Sequence, residues 1–433
     1  MLPIAILIII VGLLLGIYLP YVFTLSALFL VHSLGYEDSF LMKYGYSVVN
    51  SMVLLCVPLF IAVGLVMERS GIGKSLVDFV GIFVGRIKGG LAVIAVVASA
   101  AFGSIAGSSL ATLSCISSIM LPRFEENGYP KAYVATLLTS ACPLGLLIPP
   151  SAHMILYSWA GRQPLLACFL ATVGPGLVLV ALLSITSLVL LRNDPNIKTR
   201  PAMPTTDFLK MAKNDTISAF PALLMPIIVL GGIYSGTFTP TEAATVAIIY
   251  SIPVGFFVYR KLTFKKLYDT FVETASTTGV IMVMIFCVMM LSRIYIMEDM
   301  PGMIADFLRG FSNDKTIILL GVNLVVLVMG MIMDDTSCLL LGTPILLPVV
   351  QSFGVDPIHF AAIMGVNVAI GLLTPPTAPA LYFGIQVTKT PLSAMLKPNM
   401  LLLVVCWIPT LIAVTYFPDL ALWLPRLVLG YGM

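Results

Sequence analysis

Residues 145–151 read "GLLIPPS" and residues 371–377 read "GLLTPPT". The two heptads stand 226 positions apart in a chain of 433 residues. A Pro-Pro pair inside an apolar run cannot continue a helix, because each proline lacks a backbone donor and pushes the residue before it out of the α region. A preceding glycine permits an unusual backbone turn. Both heptads therefore predict breaks in apolar helices.

The surroundings of the heptads repeat as well. At the same offset Pro122 meets Pro348, Gly128 meets Gly354 and Ser151 meets Thr377, and "VDF" at 77–79 echoes "ADF" at 305–307 with a small gap. Two structural repeats follow, 1–192 and 236–433, joined by a connector over 193–235 that holds a cytoplasmic loop and one helix.

Composition sets the class. The chain is 59% hydrophobic and 10% charged, whereas a soluble domain is about a quarter charged. Apolar runs long enough to cross a bilayer recur from end to end. None alternates as barrel strands do, so the expected fold is an all-α polytopic membrane protein in a lipid bilayer. The run Leu2 to Leu19 lacks a basic flank and a small-residue cleavage site and reads as a retained helix. A net charge of +3 is too small to imply a nucleic-acid partner. All seven cysteines lie in apolar segments without a CxxC pair and read as buried hydrophobes. No GxxxxGK[ST] or HExxH string occurs, and His32, His153 and His359 are scattered. The chain is not expected to be an enzyme, to hydrolyse ATP or to need an organic cofactor.

Loop charge orients the repeats. The basic stretches Arg192 to Lys213 and Arg260 to Lys266 should be cytoplasmic. Runs at 219–234 and 241–258 go out and back, and the run 277–294 then exits to an acidic segment with Glu298, Asp299, Asp306 and Asp314. Its counterpart in the first half holds Arg69, Lys74, Arg86 and Lys88. Equivalent segments thus face opposite sides, and the repeats have inverted topology, as in secondary transporters. The N-terminus should be cytoplasmic and the C-terminus periplasmic.

Two apolar stretches are interrupted at mid-depth, about 90–122 by "GSIAGSS" (103–109) and about 316–348 by "GMIMDDTS" (330–337). Both read as re-entrant helical hairpins. Symmetry pairs the tip at Gly107, Ser108, Ser109 and Thr112 with the break at Gly145 to Ser151, and the tip at Gly330 to Ser337 with the break at Gly371 to Thr377. Unwound backbone at membrane depth lines polar cavities, and its freed carbonyls suit a hard monovalent cation, Na⁺ first among them. The expected first site comprises Gly107, Ser108, Ser109, Gly145, Pro149 and Ser151. The second comprises Gly330, Asp334, Gly371, Thr374 and Thr377. About two or more coupling ions are expected. Ser109, Thr112, Pro150, Asp335, Thr336, Ser337 and Pro376 are placed near the substrate. An intramembrane Asp costs about 2.5–3.5 kcal/mol, so Asp334 and Asp335 serve either a ligand or a half-helix cap. Glu242, two residues past Pro240 in "FTPTEAA", reads as a helix N-terminal cap.

The strings "GGLAVIAVVASAAFGSIAGSSLAT", "LGLLIPPSAHMILY", "GPGLV", "SGTFTPTEAATVA" and "TPILLPVVQSFGVDPIHFAAIMGVNVAIGLLTPPTAPALY" span nearly the whole chain. Together they resemble the large membrane subunit of tripartite ATP-independent periplasmic (TRAP) transporters. The resemblance implies a scaffold with a mobile transport domain that works as an elevator, and Na⁺-driven uptake of an organic anion such as a C4-dicarboxylate, sialic acid or sulfonate across the bacterial inner membrane. It implies two partners, a small four-helix membrane subunit, expected as a separate chain, and a periplasmic substrate-binding protein. It maps ion ligands to Ser108, Gly145 and Pro149, and to Gly330, Gly371, Thr374 and Thr377. A single-component Na⁺/carboxylate symporter of similar architecture is the alternative. A channel would need a continuous polar lining, and a structural scaffold would not need two matched breaks.

Single cysteines at Lys210 and Asp306 test the orientation. The first should react with an impermeant thiol reagent only from the cytoplasmic side and the second only from the periplasmic side; same-side labelling removes the inversion.

Overall fold

The computed structural model describes residues 1–84, 87–198, 204–375 and 377–432. Arg86, Pro376 and residues 199–203 of the basic connector lie outside them. Among the described residues all regular structure is helical. Among them seven helices are long and apolar enough to cross a membrane, and the bent pair Lys131–Leu147 and Ala152–Gly161 makes an eighth if counted as one span. The chain is a multi-pass membrane protein.

Both halves hold a helical hairpin followed by a broken helix. The first hairpin consists of Gly90–Ala106 and Ser109–Glu126, and the second of Lys315–Ile332 and Asp335–Ser352. The second arms run past Pro122 and Pro348, where the sequence suggested they end. Each proline removes only one donor, and in an apolar interior the helix is still the cheapest way to pair the remaining backbone. The tips are short. Gly107 turns the first with φ at 60°, a left-handed conformation that glycine adopts freely. Met333 and Asp334 turn the second in extended backbone, so Gly330 lies in the last turn of an arm and not at the tip itself.

The breaks follow the proline rule. Leu144–Leu147 ends with Ile148 extended (φ −89°, ψ 118°) before Pro149, and a new helix starts at Ala152. The helix Pro357–Gly371 ends at the second heptad, and Pro379–Thr388 resumes after it. The two parts of the first broken span diverge by 45°.

The heptad glycines have a different role from the one expected. Neither Gly145 nor Gly371 has positive φ. A Cβ on Gly145 would lie 2.9 Å from Gly103 Cα, and one on Gly371 would lie 2.5 Å from the Gly330 carbonyl carbon. Both glycines are there for close approach, backbone against backbone, to a glycine in the first arm of the hairpin of the same half. Gly103 and Gly330 are themselves nearly one repeat apart.

The long helix Phe264–Met297 forms a wall beside both the Cys56–Arg69 helix and the second hairpin. Arg69 pairs with Glu273 and donates to Thr270 Oγ1 at 3.0 Å, which locks the first two together. Glu242 closes a capping box, with the Thr239 amide donating to its carboxylate at 2.8 Å and Thr239 Oγ1 accepting from its amide.

Gly371→Ala should be the more damaging of the second-half glycine changes, since its Cβ meets main chain that cannot yield, whereas a Cβ on Gly330 has 3.3 Å to the nearest atom. Overpacking of this kind costs about 1–3 kcal/mol. Thermal melts in detergent should show a clear fall for Gly371→Ala and a smaller one for Gly330→Ala; equal melts would mean the contact is not tight.

Candidate functional site

A cavity of about 430 Å³ opens where both hairpin tips meet the first break. Gly107, Ser108 and Ser109 line it from the first tip, Ala152 and His153 from the helix after the first break, and Asp335 and Thr336 from the second tip. Glu68 and Glu273 form the opposite wall with Thr277 and Ile281. Three helix N-termini open onto the same space, those beginning at Ser109, Ala152 and Asp335. The dipoles of these three N-termini favour an anionic group on that side of the cavity.

Local chemistry sets each tip. Ser108 caps the first tip's second arm, its side chain accepting from Ala111 N at 3.5 Å, while its carbonyl accepts from Thr112 Oγ1 at 2.8 Å. Thr112 is thus fully buried and bonded within its own helix, and stands outside the cavity wall, contrary to its expected place near substrate. At the second tip Asp334 accepts from Thr336 N at 3.1 Å, from Ser337 N at 3.2 Å and from the Ser337 hydroxyl. Asp334 is a helix cap, and Ser337 is buried beneath it. The two alternatives for the tip aspartates are therefore divided between them, because Asp335 faces the cavity.

The structure also makes a connection that spacing did not suggest. His153 Nε2, from the first half, lies 2.9 Å from Asp335 Oδ2, from the second. The two groups are within ion-pairing distance, and neither His153 ring nitrogen makes a hydrogen bond of good geometry. His153 had been set aside as one of three scattered histidines. Its place two residues past Ser151, at a helix start beside the first tip, was the only available clue.

The two breaks differ. In the first, the carbonyls of Ile148, Pro149 and Pro150 accept no hydrogen bond from the described residues, and a Cβ on Gly107 would lie 3.7 Å from the Pro150 oxygen. Ser151 Oγ is fully buried without a partner. In the second, Leu373 O accepts from Asn399 Nδ2 at 2.9 Å and Leu372 O from Ala380 N at 3.1 Å. The Thr374 hydroxyl donates to Ile370 O at 2.8 Å, which leaves its lone pairs free. Thr377 is exposed and so outside any dry cage. Asn399, buried with its Oδ1 unpaired, was not foreseen; it lies on a later helix that only the fold brings to the break. Among the described residues no three His, Cys, Asp or Glu side chains converge on a metal position.

Paired hairpins, broken helices and a polar cavity inside an apolar body define a membrane transport protein. Comparisons with known proteins agree. The model of the tripartite ATP-independent periplasmic transporter DctM component matches residues 2–420, and the chain belongs to that family. It is 37% identical to the C4-dicarboxylate TRAP transporter large permease protein DctM of Pseudomonas aeruginosa, over 86% of each chain. It is 34% identical to the sialic acid TRAP transporter large permease protein SiaM of Vibrio cholerae, over 89% of this chain and 88% of that one. The crystal structure of the YdaH transporter of Alcanivorax borkumensis shares the fold, with a TM-score of 0.61 over 88% of each chain at 14% identity. These relatives are permeases, not enzymes, and family membership implies work alongside a periplasmic binding protein and a small membrane subunit.

Loss of a cap of this type costs about 0.5–2 kcal/mol. Asp334→Ala should lower stability by that order in detergent melts, and Asp334→Asn, whose amide oxygen still accepts, should remain within a few tenths. Equal losses in both would show that the charge and not the cap holds the second tip.

Proposed function

We propose that the chain imports an organic anion across the bacterial inner membrane, with Na⁺ as the coupling ion, by elevator motion of a domain that carries both hairpins. The observation that carries this reading is the convergence of three helix N-termini and both tips on one cavity beside a break with free carbonyls. The helix ends suit a carboxylate or sulfonate. Relatives named for C4-dicarboxylate, sialic acid and isethionate transport all handle such anions. For Na⁺, the first break offers the Pro149 and Pro150 carbonyls with the Ser151 hydroxyl, all hard oxygen donors. Thr374 Oγ1 offers a further oxygen at the second. Inverted repeats, with the N-terminus inside and the C-terminus outside, fit the matched hairpin and break of each half. Substrate arrives from the periplasmic binding protein, and the small subunit is a separate chain.

Uptake into proteoliposomes, with and without a binding protein, tests the reading. Uptake should require an inward Na⁺ gradient and rise sigmoidally with Na⁺. Thr374→Val removes one ion–dipole contact, comparable to a charged hydrogen bond of about 1.5–3 kcal/mol, so half-maximal uptake should need about 10- to 100-fold more Na⁺. Ile148→Val, at the matching position, should change nothing. Full activity in a K⁺ or proton gradient without Na⁺ would sink the Na⁺ assignment.

A further inference from the structure

A second cavity, of about 610 Å³, lies farther along the same groove. The long helix, the helix after the first break and the second arm of the second hairpin contribute to both. On the long helix, one ridge of residues four apart connects them: Glu273, Thr277 and Ile281 at the first cavity, Met289 and Arg293 at the second, and Ile285 between, fully buried. From Glu273 to Arg293 the ridge rises about 30 Å at 1.5 Å per residue, close to the thickness of the hydrocarbon core. The two cavities are therefore the two mouths of one groove, closed in the middle.

The mouths differ in charge. The first has Glu68 on its wall, with Glu273 paired to Arg69 and Asp335 beside His153. The second has Arg162 and Arg293, and no Asp or Glu among the described residues that line it. Neither arginine is in an ion pair with a described residue. The Arg293 guanidinium carbon lies over the Tyr44 ring, 5.4 Å from its centroid, and its Nε is buried without a partner. Arg162 closes the Ala152–Gly161 helix in a left-handed conformation and is exposed. Trp159 stands beside it on the cavity wall. Two guanidiniums without a counter-charge, one held partly dry against an aromatic ring, form a receptor for a carboxylate or sulfonate.

We propose that Arg162 and Arg293 form a loading subsite for the substrate anion at the mouth opposite the cavity between the tips. The idea rests on the transport reading above. Under the topology proposed there this mouth faces the periplasm, so an anion meets the two arginines before it reaches the cavity between the tips. The basic vestibule raises the local anion concentration before the tips engage.

Trp159 reports on the subsite without any need for transport. Trp407 is fully buried, and only Trp423, 43% exposed, must be changed to Phe. In the full chain in detergent at low salt, iodide should quench Trp159 about tenfold more effectively than caesium. Arg162→Gln with Arg293→Gln should bring the two quenchers to near parity, and Arg162→Gln alone, at an exposed position that folding tolerates, should give an intermediate value. Sodium succinate should protect Trp159 from iodide more than sodium chloride does at equal ionic strength and equal Na⁺. Equal quenching by the two ions, an unchanged preference in Arg162→Gln, or equal protection by succinate and chloride would each overturn the subsite. Anion preference without Na⁺-driven uptake would overturn the transport reading and leave the subsite standing. Normal uptake without anion preference would do the reverse.

Discussion

Two backbone contacts, Gly103 on Gly145 and Gly330 on Gly371, hold the site together. Each seats a hairpin arm on a proline-broken helix with no side chain between them. Only main chain this close lets the tips at Gly107 and Asp334 reach the level of the breaks, and only there can three helix N-termini share a cavity. The prolines stop the helices and the glycines make room for the hairpins. Neither residue type is sufficient by itself, which accounts for the heptad keeping both in each half.

Polar links then tie the halves to each other. His153 lies against Asp335 at the cavity wall, and Trp407 Nε1 donates to Ser140 Oγ at 2.9 Å. Within the second half Asn367 donates to Asn323 O at 2.9 Å and Asn323 to Thr415 Oγ1 at 2.9 Å. In an apolar interior an unpaired amide is expensive, so each such bond specifies one arrangement of the helices around it. Ser151 Oγ and Asn399 Oδ1 are among the buried polar atoms without a partner, and these two lie at the breaks.

Much of this was legible because it depends on local rules. Proline pairs in apolar runs announce breaks, small polar strings announce tips, and repeat spacing matches them half to half. Cross-half partners were not legible. Symmetry pairs each tip with its own break, whereas the cavity draws on both tips and one break, so His153 had no visible partner in the sequence. Thr112 and Thr377 were misplaced for a related reason, since a hydroxyl near a motif can turn back to its own helix or out to the surface, and only packing decides which. The heptad glycines were recognised as important but for the wrong property: spacing cannot distinguish a glycine needed for its torsion angle from one needed for its lack of a side chain.

All seven cysteines are buried and none is in a disulfide. A thiol reacts as an exposed thiolate, and burial in helix interfaces denies these groups both solvent and attacking reagent. Thiol-directed oxidants and alkylating agents therefore find no exposed cysteine on the folded chain. Its thiols stay quiet toward either compartment it borders and respond only when the helices come apart.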